Sequence, residues 1–168
     1  RIAQARIGDL QERKPTLNSC DFIKHRTDNG NLHYRSELPL LKYIRIHVPP
    51  GDPVLEAAIP ARGGTKAWPG GYDYGGRVAS LAGRPTLMGW QHHEHQWRGQ
   101  TAYNSTRRRT SEIDAFYRAD DVDSMRMRAH RLGVPWVLFG VIEFERYGSG
   151  SVEIMKNAAI KTVFSTPG

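Results

Sequence analysis

The densest run of chemistry-bearing residues is Gly89-Trp90-Gln91-His92-His93-Glu94-His95-Gln96-Trp97-Arg98-Gly99. Three histidines and a glutamate lie side by side at positions 92–95, and such side chains ligate metals. A zinc-protease helix needs His-Glu-x-x-His, and Trp97 stands where its second histidine belongs. A zinc deaminase needs a Pro-Cys-x-x-Cys partner, which a chain whose one cysteine is Cys20 cannot supply. His92 and His95 share a helix face at i, i+3, but no third ligand is evident. Neither a metal nor a cofactor is therefore expected. Two readings stay open: a polar loop or helix start whose tryptophans pack the core, or a loop that faces a substrate.

The second cluster is Gly70-Gly71-Tyr72-Asp73-Tyr74-Gly75-Gly76-Arg77. Glycines beside aromatics and an acid allow a backbone to approach a ligand closely. The dinucleotide spacing G-x-G-x-x-G is absent, and a tight turn explains the same residues. The third cluster is Arg107-Arg108-Arg109, followed by Arg118, Arg126, Arg128 and Arg131. Arginines can hold phosphates, yet Asp114, Asp120, Asp121 and Asp123 interleave with them, as on a solvated or lipid-facing surface. Asn104-Ser105-Thr106 matches the glycosylation acceptor pattern, which is short enough to arise by chance.

These clusters need a scaffold. The chain has 168 residues, 39% hydrophobic and 24% charged, enough for one domain with its own core. No apolar run approaches the roughly 20 residues of a spanning helix, and residues 1–10 lack the apolar stretch of a signal peptide. Twenty-four basic against 17 acidic side chains give +7, which favours anionic partners. Cys20 alone excludes an internal disulfide.

The apolar pattern predicts helices over 1–14, 37–48, 120–132 and 152–157, and one helical turn over 143–147. Ser111 with Asp114 resembles a capping box opening a helix to Tyr117. Strands are predicted over 54–59, 86–88, 136–142 and 160–164, with a long shaped loop over 61–76. Alternating strands and helices imply an α/β fold, a layered domain with a mostly parallel central sheet and flanking helices. Strands 54–59 and 136–142 should share that sheet, with helix 120–132 as its crossover. Residues 1–36 form an N-terminal helix and loop, and 37–168 a single α/β domain.

A resemblance sharpens the expectation. Tyr74-Gly75-Gly76-Arg77-Val78-Ala79-Ser80-Leu81-Ala82-Gly83-Arg84-Pro85-Thr86-Leu87-Met88-Gly89-Trp90, then His93-Glu94 and Gln96-Trp97-Arg98-Gly99, resembles the signature block of the YYY family. Those are large polytopic membrane proteins of archaea and chloroflexal bacteria, and the similarity is to their soluble C-terminal region. It extends to residues 15–18, 38–54, 118–122, 134–140 and 143–147. Tyr72-Asp73-Tyr74-Gly75 with Ala82-Gly83-Arg84-Pro85-Thr86 is also similar to an acceptor-holding loop of oligosaccharyltransferase catalytic subunits, with Gly71-Tyr72 in place of Trp-Trp.

The resemblance implies an extracytoplasmic domain of a glycosyltransferase-like membrane protein of the lipid-linked-sugar type. It would shape the acceptor side of the site and not turn over alone. Residues 1–36 would then link to a membrane part. The implied ligand-facing groups are Tyr72, Asp73, Tyr74, Arg77, His93, Glu94, Trp97 and Arg98. Arginine forks would hold a phosphate or carboxylate, the acids would accept sugar hydroxyls, and Trp97 would stack on a ring. The two loops should converge, with Asp73 or Glu94 reaching Arg77 or Arg98. The implied partners are the membrane-embedded part of the same protein or a membrane complex, and an anionic lipid or lipid-linked sugar; no specific nucleic acid is expected. Two rivals carry the same sequence: a non-catalytic accessory subunit of a membrane complex, and a basic nucleic-acid-binding domain.

Overall fold

The computed structural model describes residues 27–28, 32–33, 37–59 and 75–157. The chain divides into two units, Arg1–Arg35 and Ser36–Gly168. In the first, β1 (Thr27–Asp28) pairs antiparallel with β2 (Leu32–His33), in the register Thr27↔His33 and Asp28↔Leu32. The helix expected over 1–14 and the strand expected over 160–164 lie outside the described residues.

The second unit opens with α1 (Leu38–His47), which buries Leu38, Leu41 and Ile44 on one stripe at helical spacing. Pro49 and Pro50 follow, where the helix has no successor. Next come β3 (Val54–Leu55) and a π-helical turn, Val78–Ala82, ended by Gly83 in the left-handed region (φ 64°). Then follow α2 (Gln91–Tyr117), α3 (Val122–Leu132), β4 (Trp136–Val137), α4 (Val141–Tyr147) and α5 (Gly150–Asn157).

Among the described residues the fold is mostly helical and its one parallel sheet has only two strands, and this overturns the expected layered α/β domain with a central sheet. One parallel pairing does form: Val54 faces Trp136 and Leu55 faces Val137. Thr86 adds a single parallel bridge to Val54. The ladder stops there for identifiable reasons. After Leu138 N–H donates to the Leu55 carbonyl (2.8 Å), the next amide on the β3 side, Ala57 N–H, donates instead to a side chain, Glu143 Oε1 (2.7 Å). On the other side Gly140 becomes the N-cap of α4, so Val141 and Ile142 are helical rather than stranded. The run 136–142 is apolar because it crosses the core, first as strand and then as helix.

The second correction concerns Ser111 and Asp114. They open nothing: both lie deep in α2, which starts 20 residues earlier than Ser111, at Gln91. The stretch 104–111 is rich in hydroxyls that disfavour helix interiors. Here Ser105, Thr106, Thr110 and Ser111 each donate back to a carbonyl of the preceding turn. Gly99 breaks the path of α2 with φ 68° and ψ −153°, a conformation essentially reserved for glycine. Helix α3 follows its expectation closely, with Asp121 Oδ1 capping Ser124 N–H (2.8 Å) and Gly133 left-handed after it.

Tyr117, fully buried at the end of α2, ties the helices to the strand pair. Its hydroxyl sits between the carbonyl oxygens of Leu55 (3.1 Å) and Leu138 (2.9 Å). Burial, then the neighbouring Glu143 charge, raise its pKa well above the ordinary phenol value. The hydroxyl therefore keeps the proton that it must donate.

Candidate functional site

Arg77 is 1% exposed. No arginine is buried like this without partners, and it has three carboxylates from three distant parts of the sequence. Its Nε donates to Glu37 Oε2 (2.9 Å) and its Nη2 to Glu37 Oε1 (3.3 Å), a two-pronged pairing. Nη1 donates to Glu56 Oε2 (3.1 Å) and Nη2 to Glu143 Oε2 (2.6 Å). Burial works against the cation, but Glu143, Glu37 and Glu56 outweigh it and raise the Arg77 pKa.

Each carboxylate arrives by its own element. Glu37 is the residue before α1, and its Oε1 also accepts Val141 N–H (2.6 Å) at the start of α4. Glu143 is the third residue of α4 and reaches back to the N-cap amide of Gly140 (2.8 Å). Glu56 follows β3, and its Oε2 accepts Val78 N–H as well (3.4 Å). Gly140 must be glycine for reasons of space: a Cβ there would collide with the Glu37 carboxyl and lie 3.0 Å from Arg77 Nη2.

The three acids are not equivalent. N–H donors occupy both oxygens of Glu37 and both of Glu143, the arrangement of a carboxylate. Glu56 Oε1 has no hydrogen-bond partner. Burial raises the Glu56 pKa to about 8; Arg77 opposes this, while Glu143 and Glu37 add to it. Near neutral pH Glu56 is thus a carboxylic acid. Its Oε2 already accepts two N–H groups, so the proton belongs on Oε1.

Glu56 is also among the residues that line a narrow cleft, walled by residues 56–59, 75–76 and 88–91. Its innermost space is that of about one water molecule. Gly76 takes φ 72°, and its bare Cα faces the Trp90 indole, whose Nε1 lies 3.8 Å from where a Cβ would stand. Residues of the two sequence clusters therefore do meet here, through 75–76 and 88–91.

The expected ligand-facing residues fall into three groups. Tyr72, Asp73 and Tyr74 lie outside the described residues. Arg77 is buried, with Glu37, Glu56 and Glu143 on its guanidinium, so the described structure makes it an internal hub. His93, Glu94, Trp97 and Arg98 stand on the first turns of α2. His93 packs edge-on against Trp90 at 5.9 Å. Glu94 Oε1 accepts Gly89 N–H (3.2 Å), closing the helix start. Glu94 and Arg98 form an i, i+4 ion pair at 3.8 Å, largely in water and worth little. Among the described residues the expected carboxylate–arginine link is this one, between neighbours on one helix. Trp97 is 83% exposed.

Composition did not single out Glu37, Glu56 or Glu143. Each sits at an element boundary, Glu37 before a helix, Glu56 in an apolar run and Glu143 at the third residue of a helix. Glu56 gave the one usable signal, an acid inside 54–59 where every neighbour is apolar.

Among the described residues no group of three or more His, Cys, Asp or Glu is placed to hold a metal ion, and no helix is long and apolar enough to cross a membrane. The triplet arginines are partly neutralised locally: Arg108 and Arg109 each lie 3.6 Å from Glu112. Comparison with protein-family models, curated proteins and solved structures returns no match.

Proposed function

We propose that the Ser36–Gly168 unit is the extracytoplasmic domain of a glycosyltransferase-like membrane protein, positioned over the acceptor side of its site. The observation that carries this reading is the cleft. The block that resembles the YYY family contributes both 75–76 and 88–91 to its walls. In the same block Arg77 anchors the cleft to the core through Glu37, Glu56 and Glu143. Gly75, Gly76 and the Trp90 indole give that wall a surface that a polar ring can approach closely. Trp97 and Arg98, exposed on the adjoining helix, supply a ring face and a cation toward a lipid-linked sugar or an anionic headgroup.

The test uses the full open reading frame in its own host. A cysteine introduced at Met127, which is exposed on α3, should react with a membrane-impermeant maleimide in intact cells. Labelling confined to lysed cells overturns the placement. In membranes from the same cells, Trp97→Ala should lower transfer of the lipid-linked sugar, and unchanged transfer removes Trp97 from the acceptor side.

A further inference from the structure

We infer that α2 is a helical hairpin whose tip, residues 96–101, anchors the domain in the headgroup layer of an anionic lipid bilayer. Trp97 sits among the headgroups and Arg98 against their phosphates. This rests on the reading of the unit as a domain that stands over a membrane, and it names the surface that the domain touches.

The first observation is the hairpin. Gln91 and Thr106 are 15 residues apart, about 22 Å along a straight helix. Yet Gln91 Nε2 donates to Thr106 Oγ1 at 3.5 Å. Across the same point the His95 and Tyr103 rings pack edge-on, with centroids 5.6 Å apart. Both contacts centre on Gly99, whose left-handed φ of 68° separates two helical segments. The arms 91–98 and 100–117 therefore fold back on each other. Ala102 and Thr106 lie one turn apart on the face from which Thr106 meets Gln91, and each is 3% exposed.

The second observation is the tip. All six residues 96–101 are exposed, and six residues cover more than one full turn, so no side of the tip is packed. Trp97 is 83% exposed, and the Arg98 side chain 73%. Tyr103, just behind them, is exposed as well.

The third observation is charge. Residues 96–111 hold four arginines and no acid. The flanking acids, Glu94 and Glu112, pair with Arg98, Arg108 and Arg109 at 3.6–3.8 Å. Such pairs lie largely in water and offset little of the positive field.

Shape and charge select the occupant. A small soluble ligand binds in a concavity, whereas this tip is convex. The headgroup layer of a bilayer is soft and closes around a convex tip. Tryptophan and tyrosine favour that layer, since each has an apolar ring and a polar N–H or O–H. Arginine grips phosphate through its planar fork, and each basic side chain near an anionic surface adds attraction that fades within a Debye length. A single-stranded nucleic acid also carries phosphates, but its bases stack along a groove on successive rings. The tip presents one ring at an apex.

The experiment is co-sedimentation of the 168-residue chain with vesicles of phosphatidylcholine alone, or mixed equally with phosphatidylglycerol. The chain should bind the mixed vesicles, less tightly in salt, and bind neutral vesicles more weakly. Arg98→Gln should bind the mixed vesicles about fivefold more weakly, the step of one basic side chain at such a surface. Trp97→Ala should bind them roughly tenfold more weakly. Both side chains are exposed, so circular dichroism should show the parent fold in each variant. Phosphatidylcholine brominated near the headgroup end of its chains reads insertion. Part of the tryptophan emission should be quenched in the parent and spared in Trp97→Phe. Absence of binding to the mixed vesicles overturns the inference. So does binding that neither substitution weakens, or equal quenching in Trp97→Phe. Displacement of the chain from mixed vesicles by a single-stranded oligonucleotide that requires Trp97 would also overturn it, in favour of nucleic acid. These readouts use neither cell topology nor sugar transfer. Maleimide labelling confined to lysed cells would move the domain to the other membrane face and leave vesicle binding standing, whereas lost vesicle binding would remove the anchor alone.

Discussion

Arg77 Nη2 lies 2.6 Å from Glu143 Oε2, across 66 residues of sequence, with neither side chain touching water. That one contact joins the π-helical turn to α4. With Glu37 and Glu56 on the same guanidinium, it draws together the starts of two helices and the end of a strand. A two-residue strand pair is too short to organise a core by itself. The polar hub supplies a fixed register that the apolar side chains alone would not.

Removing the cation should therefore be costly. Arg77→Ala would leave three buried acids facing one another, and breaking a buried pair in this way costs about 3–5 kcal/mol. Arg77→Lys should recover little of it, because a single ammonium cannot reproduce the forked pairing with Glu37 while also serving Glu56 and Glu143. Urea unfolding of the three proteins checks this. A loss below about 1 kcal/mol for Arg77→Ala would contradict the hub.

The second prediction follows from the raised pKa of Glu56, about 8 against 4.5 ordinarily. Between those values the unfolded chain has released this proton and the folded chain still holds it. Stability must then fall as pH rises, by at most about 1.4 kcal/mol per pH unit. Below about 4.5 and above about 8 this group adds no slope. Glu56→Gln removes the titration, so its stability relative to the parent should climb steadily from pH 5 to pH 8. Parallel stability curves for the two proteins in that window would show that Glu56 is ionised in the fold.

Local features were legible where one rule governs them. Pro49 and Pro50 end α1 as their chemistry requires, and Gly133 ends α3, while Asp121 caps that helix from just outside its first turn. Even the pairing of 54–55 with 136–137 follows from two apolar runs. What the sequence concealed was which of several competing partners each backbone group takes. Ala57 N–H could have extended a ladder, but Glu143, 86 residues away, captures it. The hydroxyls of 105–111 could have marked a loop, but they bond back along α2. Of the candidate residues, Arg77 reads from its type as ligand-facing, and the structure buries it among Glu37, Glu56 and Glu143. An arginine among glycines reads as exposed until the acids that enclose it are placed, and those come from distant positions.

Tyr117→Phe tests the clamp between α2 and the strand pair. The substitution keeps the ring, which stacks on Tyr147 at 4.8 Å, and deletes only the hydroxyl. Phenylalanine leaves the Leu138 carbonyl without that donor, while the Leu55 carbonyl still accepts the Leu138 amide. A loss of about 1–2 kcal/mol is expected. Hydrogen exchange should localise it, with faster exchange at the Leu138 amide, which bonds Leu55 across the pair. Uniform acceleration over all of α2 would indicate a packing defect rather than a lost clamp.

Gly140 and Gly99 offer a contrast between space and backbone geometry. At Gly140 the chain is extended (φ −123°), a conformation open to any residue. Alanine fails there because its methyl would overlap the Glu37 carboxyl, which is held on both oxygens and cannot move without releasing Arg77 and Val141. At Gly99 nothing lies within 4 Å of an added methyl, but φ is 68° and ψ −153°. Alanine fails there through strain, which the helix can relieve by straightening into an unbroken α2. Gly140→Ala should thus lose several kcal/mol, as overpacking plus a broken buried pair imply, about 3 or more. Gly99→Ala should lose about 1–3 kcal/mol or less if the helix straightens. Circular dichroism separates the two: helicity should hold or rise in Gly99→Ala at low temperature, while Gly140→Ala should melt earlier with helicity reduced. The reverse order of stability would mean that the Glu37–Arg77 pairing yields to a methyl group, and the hub would not be the rigid element that positions the cleft.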